Sequence, residues 1–360
     1  MIPDNDQSST EGAFYRVLRR RLGQLAMAKA PRLTARMLGA PPPRKMPRLS
    51  LLAVQPDALA PHIKYMADTG EGTDACLAAG ALPMAVHFYS PVPDIQDLKR
   101  RGVFKRRSAL GGVDLRVERQ LALLGELGAS YGGECNWPSG PAPDQVSYVT
   151  SASGFSFGCA AALHMLIRNT KPKCVIEIGS GWSSRVINAA LQFNCRDGAA
   201  AARYTIIDPF PGEALAALSC VTHVRPERAE CIGSEAFEHL EAGDILFVDS
   251  GHTVRIGGDV NFIVLDVLPR LKPGVLIHFH DIPMPYEYDE SYATNPKFRV
   301  FWTESYLLQA FLAFNSEFEV VLSMNYLMLD HPEAFAAAIQ AYNSRLHREV
   351  SHSFWIRRRL

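Results

Sequence analysis

The sequence predicts an α/β fold: a mostly parallel sheet of seven strands with one antiparallel strand near the carboxyl terminus, helices on both faces and a helical cap at the amino-terminal side. Three observations carry the prediction. From Phe155 onward, short apolar runs alternate with stretches of helical spacing. The run CVIEI at 174–178 opens into the glycine turn GSG at 179–181 and then into a helix-like stretch. Acids and histidines stand directly after the apolar runs, where open α/β sheets place their ligands, outside the carboxyl ends of the strands.

Taken in order, residues 1–48 stand apart, with ten Lys/Arg against three Asp/Glu and a proline cluster at 41–43. They read as a basic, mobile arm; the competing reading is an amphipathic helix lying on an anionic membrane surface or a partner. Asp4, Asp6 and Glu11 count against a transit peptide. Residues 49–150 read as a helical cap or substrate lid, with Val117, Leu121, Leu124 and Leu127 near helical spacing. Within it HFYSPVPD (87–94) reads as a structural turn, with a lid that contacts substrate as the alternative. The catalytic domain is expected over 151–360.

There, 160–168 predicts a helix, 174–178 the first strand, and Val186, Ile187, Ala190 and Leu191 a helix packed on the sheet. YTIIDPF (204–210) predicts the second strand, ending at Asp208, and 222–232 holds a third, followed by a short helix at 234–240. GDILFVDSGH (243–252) supplies the next strand with Asp249 at its end; a helix over about 258–268 and the strand of PGVLIHFHD (273–281), ending in His280 and Asp281, follow. MPYEYDESYATNPKFRVFW is too irregular for an element and long enough for an active-site loop, whose Tyr286, Tyr288, Tyr292 and Trp302 could stack on a sugar ring or pack the loop. A helix at TESYLLQAFLAF precedes FEVVLSMNYLMLD (318–330), which reads as two strands and a tight turn, the source of the antiparallel strand.

The glycine turn marks a cofactor site, because Gly179 and Gly181 let the backbone bend tightly beneath a ligand. No lysine follows it, against a P-loop, and no third glycine, against a dinucleotide fold. The pattern E-x-G-x-G with Asp208 one strand later resembles class I S-adenosylmethionine-dependent methyltransferases, with their Rossmann-like sheet. GDILFVDSGHTVRIGGDVNFIVLDVLPRLKPGVLIHFHDIPMPYEY, WTESYLLQAFLAF and the tail SFWIRR are similar to methyltransferases found beside sugar and glycan genes, and more distantly to the macrocin and mycinamicin type of sugar O-methyltransferase. The resemblance implies S-adenosylmethionine as cofactor, with Glu177, Gly179, Ser180 and Gly181 around its methionine part, Asp208 on its ribose, Glu230 near its adenine and Asp249 beside it. It implies a hydroxyl of a sugar, glycan or natural product as methyl acceptor. It also implies a divalent ion on the acid at Asp249 and on two adjacent carboxylates at the next strand end. Here that pair is His280 and Asp281, so Asp249 and Asp281 remain as ligands. Either the site is softer, suiting manganese or zinc, or no metal is obligatory.

For proton removal from the acceptor, His252 is the expected base, as a neutral imidazole near its ordinary value of about 6.5, with His280 as the rival and Asp281 beside them. An NAD-dependent oxidoreductase and a non-catalytic cofactor-binding scaffold remain as alternative classes. Thirty-seven Lys/Arg against thirty-seven Asp/Glu leave no global field to recruit nucleic acid. The seven scattered cysteines have no metal spacing and read as reduced packing residues, which fits a cytoplasmic protein. No apolar run approaches the roughly 20 residues that span a bilayer.

Overall fold

The computed structural model describes residues 55–152, 154–296, 299–343, 347 and 349–360, so the expected basic arm at 1–48 lies outside the described residues. The chain divides into two compact units, the first made of residues up to Phe104 together with Asp289–Phe301, the second of Lys105–Tyr288 and Trp302–Leu360.

The first unit holds α1 (Pro56–Thr69), α2 (Thr73–Ala78), α3 (Ile95–Arg100) and, later in the chain, α8 (Glu290–Thr294). Gly70 ends α1 in the left-handed conformation at φ 77°, and the Asp94 carboxylate caps α3 by accepting from the Gln96 and Asp97 N–H groups. A Lys99–Glu290 ion pair of 2.7 Å ties α3 to α8. HFYSPVPD forms a turn, in which the Ser90 N–H donates to the His87 carbonyl at 2.9 Å and Phe88 and Tyr89 stay exposed.

The second unit contains α4 (Val117–Tyr131), α5 (Phe157–Thr170), β1 (Cys174–Ile178), α6 (Trp182–Arg196), β2 (Arg203–Ile207), β3 (Val221–Arg225), β4 (Ile245–Val248), α7 (Asp259–Phe262), β5 (Leu276–Phe279), α9 (Glu304–Leu312), β6 (Phe318–Ser323), α10 (Met324–Asp330), α11 (Pro332–Ala338) and β7 (Phe354–Arg358). Residues 105–150, expected in the cap, therefore belong to the unit that carries the sheet. The strands lie in the order β3-β2-β1-β4-β5-β7-β6, all parallel except β7, which runs antiparallel to both neighbours. This is the Rossmann-like sheet of class I methyltransferases. Helices cover both faces, which is why β1, β4 and β5 are buried at every position and, apart from Glu177 and His278, apolar rather than alternating. The chain runs outward from β1 to β3 and then returns to β4 on the other side of β1. The crevice between the carboxyl ends of β1 and β4 is the topological switch point, where open sheets bind ligands.

The structure corrects four expectations. Residues 318–330 are not a hairpin: β6 is followed by helix α10, and the antiparallel strand is the tail β7, inserted between β5 and β6. MNYLMLD is rich in helix formers and has no β-branched residue, whereas Phe354, Trp355 and Ile356 supply the side chains that a strand buried on both faces requires. The helix expected over 258–268 is α7 prolonged by a π turn (Ile263–Val267) and a 3-10 turn (Leu268–Arg270). Pro269 lacks an N–H and cannot continue a regular ladder. The short helix after β3 shrinks to a 3-10 turn at Ser234–Phe237, and the irregular loop over 284–302 carries the short helix α8 among its described residues. Among the described residues no helix is long and apolar enough to cross a membrane.

Helix α4 packs on α11 through a glycine. A Cβ built on Gly128 meets the Ala338 Cα and carbonyl oxygen at 2.5 Å each, whereas one built on Gly125, a turn earlier and exposed, meets nothing within 4 Å. Gly125→Ala is expected to stabilise the protein by about 0.5–1 kcal/mol through helix propensity. Gly128→Ala is expected to lose that gain and a further 1–3 kcal/mol, roughly, to overpacking against backbone that has no free rotamer. Urea denaturation of the two variants measures the contrast; equal midpoints would show that α4 and α11 do not pack through this glycine.

Candidate active site

The site begins at the end of β1. Gly179 has φ 80°, and a Cβ on it would lie 1.9 Å from the Asp249 carbonyl oxygen, so only glycine allows the ends of β1 and β4 to approach this closely. A Cβ on Gly181 meets nothing within 4 Å: here the turn faces open space. Between them, the Ser180 N–H donates to the Asp208 carboxylate at 3.0 Å, and the Ser180 hydroxyl donates to the same oxygen. The second Asp208 oxygen accepts from the Phe210 N–H at 2.7 Å. Asp208 thus joins the ends of β1 and β2 and stands at the rim of the turn.

Glu177 lies elsewhere than expected. Its side chain is 0% exposed, and its two oxygens accept from the Ser183 hydroxyl at 2.6 Å, the Ser184 hydroxyl at 2.8 Å and the Tyr204 phenol. Ser184 in turn accepts from the Gly181 N–H at 3.1 Å. The carboxyl therefore holds the start of α6 from beneath the turn and presents no surface to a ligand. Burial raises it, against the three hydroxyl donors, to about 7. Glu230 sits on a 3-10 turn after β3, with its carboxylate 3.2 Å from Arg228.

The ends of β4 and β5 bring together Asp249, His252, His280 and Asp281. His252 Nε2 is 3.2 Å from Asp249 and 3.7 Å from Asp281, and His280 Nδ1 is 3.6 Å from Asp249 and 3.5 Å from Asp281. His252 and Asp281 both adopt left-handed backbone, at φ 53° and 55°. Such conformations are costly for residues with a Cβ and cluster at functional sites. Two further residues join the cluster that the sequence reading did not single out. The Glu304 carboxylate, at the first turn of α9, is 2.8 Å from His252 Nδ1, and His352, two residues before β7, has Nδ1 3.7 Å from Asp281. Glu304 reads in sequence as an ordinary acid opening a helix, and His352 stands just before SFWIRR, outside the stretches that carry the resemblance.

Charge decides the protonation of the cluster. Burial opposes ionisation of Asp249, yet His280 and His252 beside it hold its carboxyl well below the usual range; Asp281 is lowered in the same way by His280 and His352. Burial also disfavours the imidazolium of His252, but Asp249, Glu304 and Asp281 outweigh it and raise His252 to about 10. His280 is likewise raised well above its ordinary value by Asp281 and Asp249. This corrects the expectation of a neutral His252 near 6.5: surrounded by three carboxylates, it carries its proton at neutral pH. His278, one pleat inside β5, differs from His280. It stacks on Phe247 at 4.0 Å and shares a 2.8 Å hydrogen bond with Ser353, and burial pushes it well below its ordinary value, so it is a neutral core residue.

The donor set fits a divalent cation. Asp249, His280 and Asp281 each offer one ligand atom, all within 4.8 Å of one another, and His280 Nδ1 is buried without a hydrogen-bond partner. One imidazole and two carboxylates suit manganese, iron or zinc better than magnesium, which prefers oxygen donors.

Residues 176–282 match the family model described as a methyltransferase domain. The match begins within β1 and ends one residue after Asp281, and so covers the glycine turn, Asp208 and the whole acid–imidazole cluster except Glu304 and His352. It supports methyl transfer as the chemistry of this segment. A protein of Archaeoglobus fulgidus described only as uncharacterized is 31% identical over 134 residues, which cover 36% of this chain and 59% of the relative. The chain thus spans less than two thirds of that relative's length. Among solved structures, the SAH-bound Podospora anserina methyltransferase PaMTH1 overlaps 67% of this chain and 88% of its own at 16% identity and a TM-score of 0.33. A candidate methyltransferase from Thermobifida fusca overlaps 71% and 97% at 14% identity and a TM-score of 0.36.

Glu177 yields a pH dependence whose sign is fixed. Its folded value of about 7 lies above that of an unfolded glutamate, about 4.3, so the folded state holds the proton more tightly. The stability contribution is fully present below the unfolded value and is lost as pH rises through 7. The stability difference between wild type and Glu177→Gln is expected to be flat below pH 4 and to shift against the wild type by roughly 3 kcal/mol by pH 8. Urea titrations across that range read it, and a difference that does not vary with pH would mean that Glu177 is charged in the fold.

Proposed function

We propose that this protein transfers the methyl group of S-adenosylmethionine to an oxygen nucleophile, a hydroxyl of a sugar, glycan or natural product. The observation that carries the reading is the cluster of Asp249, His252, His280 and Asp281 at the carboxyl ends of β4 and β5, beside the glycine turn of β1. In this reading the Gly179–Ser180–Gly181 turn and the Asp208 carboxylate hold the cofactor's methionine part and ribose, and Asp249 stands between them and the acceptor. When bound, S-adenosylmethionine supplies an electrophilic methyl on a sulfonium. A divalent cation held by Asp249, His280 and Asp281 would supply positive charge that acidifies a hydroxyl beside it.

The residues of the chain align the acceptor and move its proton. Alignment alone is worth about 7–11 kcal/mol in well-oriented systems, and the closely held strand ends serve it. His252 Nε2 faces the space between Asp249 and Asp281 and is the nitrogen that receives the acceptor's proton. Asp249, Glu304 and Asp281, facing it as bare carboxylates, strengthen its hold on its own proton. Withdrawing negative charge from the two aspartates lowers His252 and returns it to a base. His280, between the same two aspartates, is better placed to ligate than to exchange protons.

Labelled S-adenosylmethionine with a panel of hydroxylated glycans and natural products tests this reading. Methyl transfer is expected, and His252→Ala is expected to lower turnover roughly 10²–10⁴-fold while binding of S-adenosylhomocysteine is retained. Asp208→Ala should weaken that binding by about 1.5–3 kcal/mol in calorimetry. No binding of either cofactor form, together with enhanced fluorescence of added NADH, would move the protein to the oxidoreductases.

The cation is tested without turnover. Manganese is expected to raise the melting temperature of the wild type more than magnesium does, and to leave Asp281→Asn unmoved. Equal shifts for wild type and variant would take Asp281 out of the ligand set.

A further inference from the structure

We propose that Glu304 is the positioning residue of the site, holding His252 so that Nε2 points at the space between Asp249 and Asp281. The inference rests on the reading of His252 as the proton acceptor and extends it to a residue outside the matched domain segment. Glu304 opens α9, where a carboxylate ordinarily stays in water and gains from the helix dipole at no cost of burial. Here the residue is 1% exposed. Oε2 lies 2.8 Å from His252 Nδ1, and Oε1 is buried without a hydrogen-bond partner. A carboxylate that has given up water for a single hydrogen bond is expensive to the fold, so its place calls for a use.

The same segment grips the rest of His252. The Thr303 and Glu304 N–H groups donate to the His252 carbonyl at 2.9 and 3.1 Å, the Val254 N–H donates to the Thr303 hydroxyl at 2.8 Å, and the Trp302 ring lies 4.6 Å from the imidazole. The left-handed backbone of His252 is therefore clasped from one side by residues 302–304. With Nδ1–H committed to Glu304, only Nε2 is left to meet Asp249 and a substrate. Carboxylate–imidazole pairs fix ring orientation and tautomer in this way in many active sites. Without the carboxylate, the ring is free to turn and either nitrogen can carry the proton.

Glu304→Leu and Glu304→Gln test this. Histidine-labelled protein is examined by proton–nitrogen NMR in the absence of any substrate, with turnover measured separately. In the wild type, the Nδ1 proton of His252 is expected to be exchange-protected and shifted far downfield. The signal should vanish in Glu304→Leu and persist at a smaller shift in Glu304→Gln, whose amide oxygen still accepts from Nδ1–H. Turnover should follow it, with kcat down about 10²-fold or more in the leucine variant, within about 10-fold of wild type in the glutamine variant, and KM and S-adenosylhomocysteine affinity unchanged in both. A His252 signal that is the same in the wild type and Glu304→Leu, or a glutamine variant as impaired as the leucine one at equal melting temperature, overturns the positioning role. If the NMR signature behaves as expected but no acceptor is methylated, the reading of the chemistry fails and the Glu304–His252 arrangement stands.

Discussion

The approach of β1 to β4 at their carboxyl ends is the constraint on which the rest of the structure depends. A Cβ at Gly179 would lie 1.9 Å from the Asp249 carbonyl oxygen, and the Gly179 and Asp249 N–H groups donate to the Ile207 and Ile178 carbonyls at 2.9 Å each. One glycine therefore lets three strand ends, β2, β1 and β4, meet at a single point. The chain reverses its direction of travel across the sheet at that point, so the crevice there is open above and closed below. Glu177 closes it from beneath by tying Ser183 and Ser184 to β1. Ser180 and Asp208 form its rim. A bulkier residue at 179 would separate the strands and with them the polar ends that the sheet otherwise gathers.

What gathers there is a set of charges that balance only in part. Asp249, Asp281 and Glu304 set three carboxylates against the two raised imidazoles of His252 and His280. Such groups would be costly to bury singly, and each depends on its neighbours to stay charged. The residual negative charge is compatible with the cation proposed for Asp249, His280 and Asp281. The same logic explains the two left-handed residues. His252 and Asp281 turn back over the strand ends, a backbone choice repaid by the electrostatic contacts that it brings about.

Most of the sheet could be read from the sequence because burial on both faces leaves a plain signature. CVIEI, ILFV and VLIHF are apolar runs broken only by Glu177 and His278, and the acids and histidines that follow them mark the ligand edge without any structure. Where one residue type serves two ends, the reading failed. Glu177 looks like a ligand in E-x-G-x-G, but a strand side chain two residues before a glycine can as well lie under the turn, and its environment of three hydroxyls comes partly from β2 and α6. The charge state of His252 was equally out of reach, because it depends on Asp249, three residues away, together with Glu304, 52 positions away on another helix, and Asp281. MNYLMLD reads as a strand because a short apolar run carries no period of its own, but its helix formers and lack of a β-branched residue lose it the competition for the sheet to β7.

That competition also finishes the site. Because α10 is a helix, the place between β5 and β6 falls to the last strand, β7, which pairs with β5 in antiparallel register, Phe354 opposite Phe279. The pairing continues past the strand, where the Ile282 N–H donates to the His352 carbonyl at 3.0 Å. His352 is thereby delivered to Asp281, and Ser353 to His278. An antiparallel strand enters the sheet at the end where its neighbours leave it, so the residues just before β7 must pass the carboxyl ends of β5 and β6. A parallel strand in that position would carry its preceding residues to the opposite edge. The single reversed strand is thus the reason why the tail adds an imidazole to the cluster.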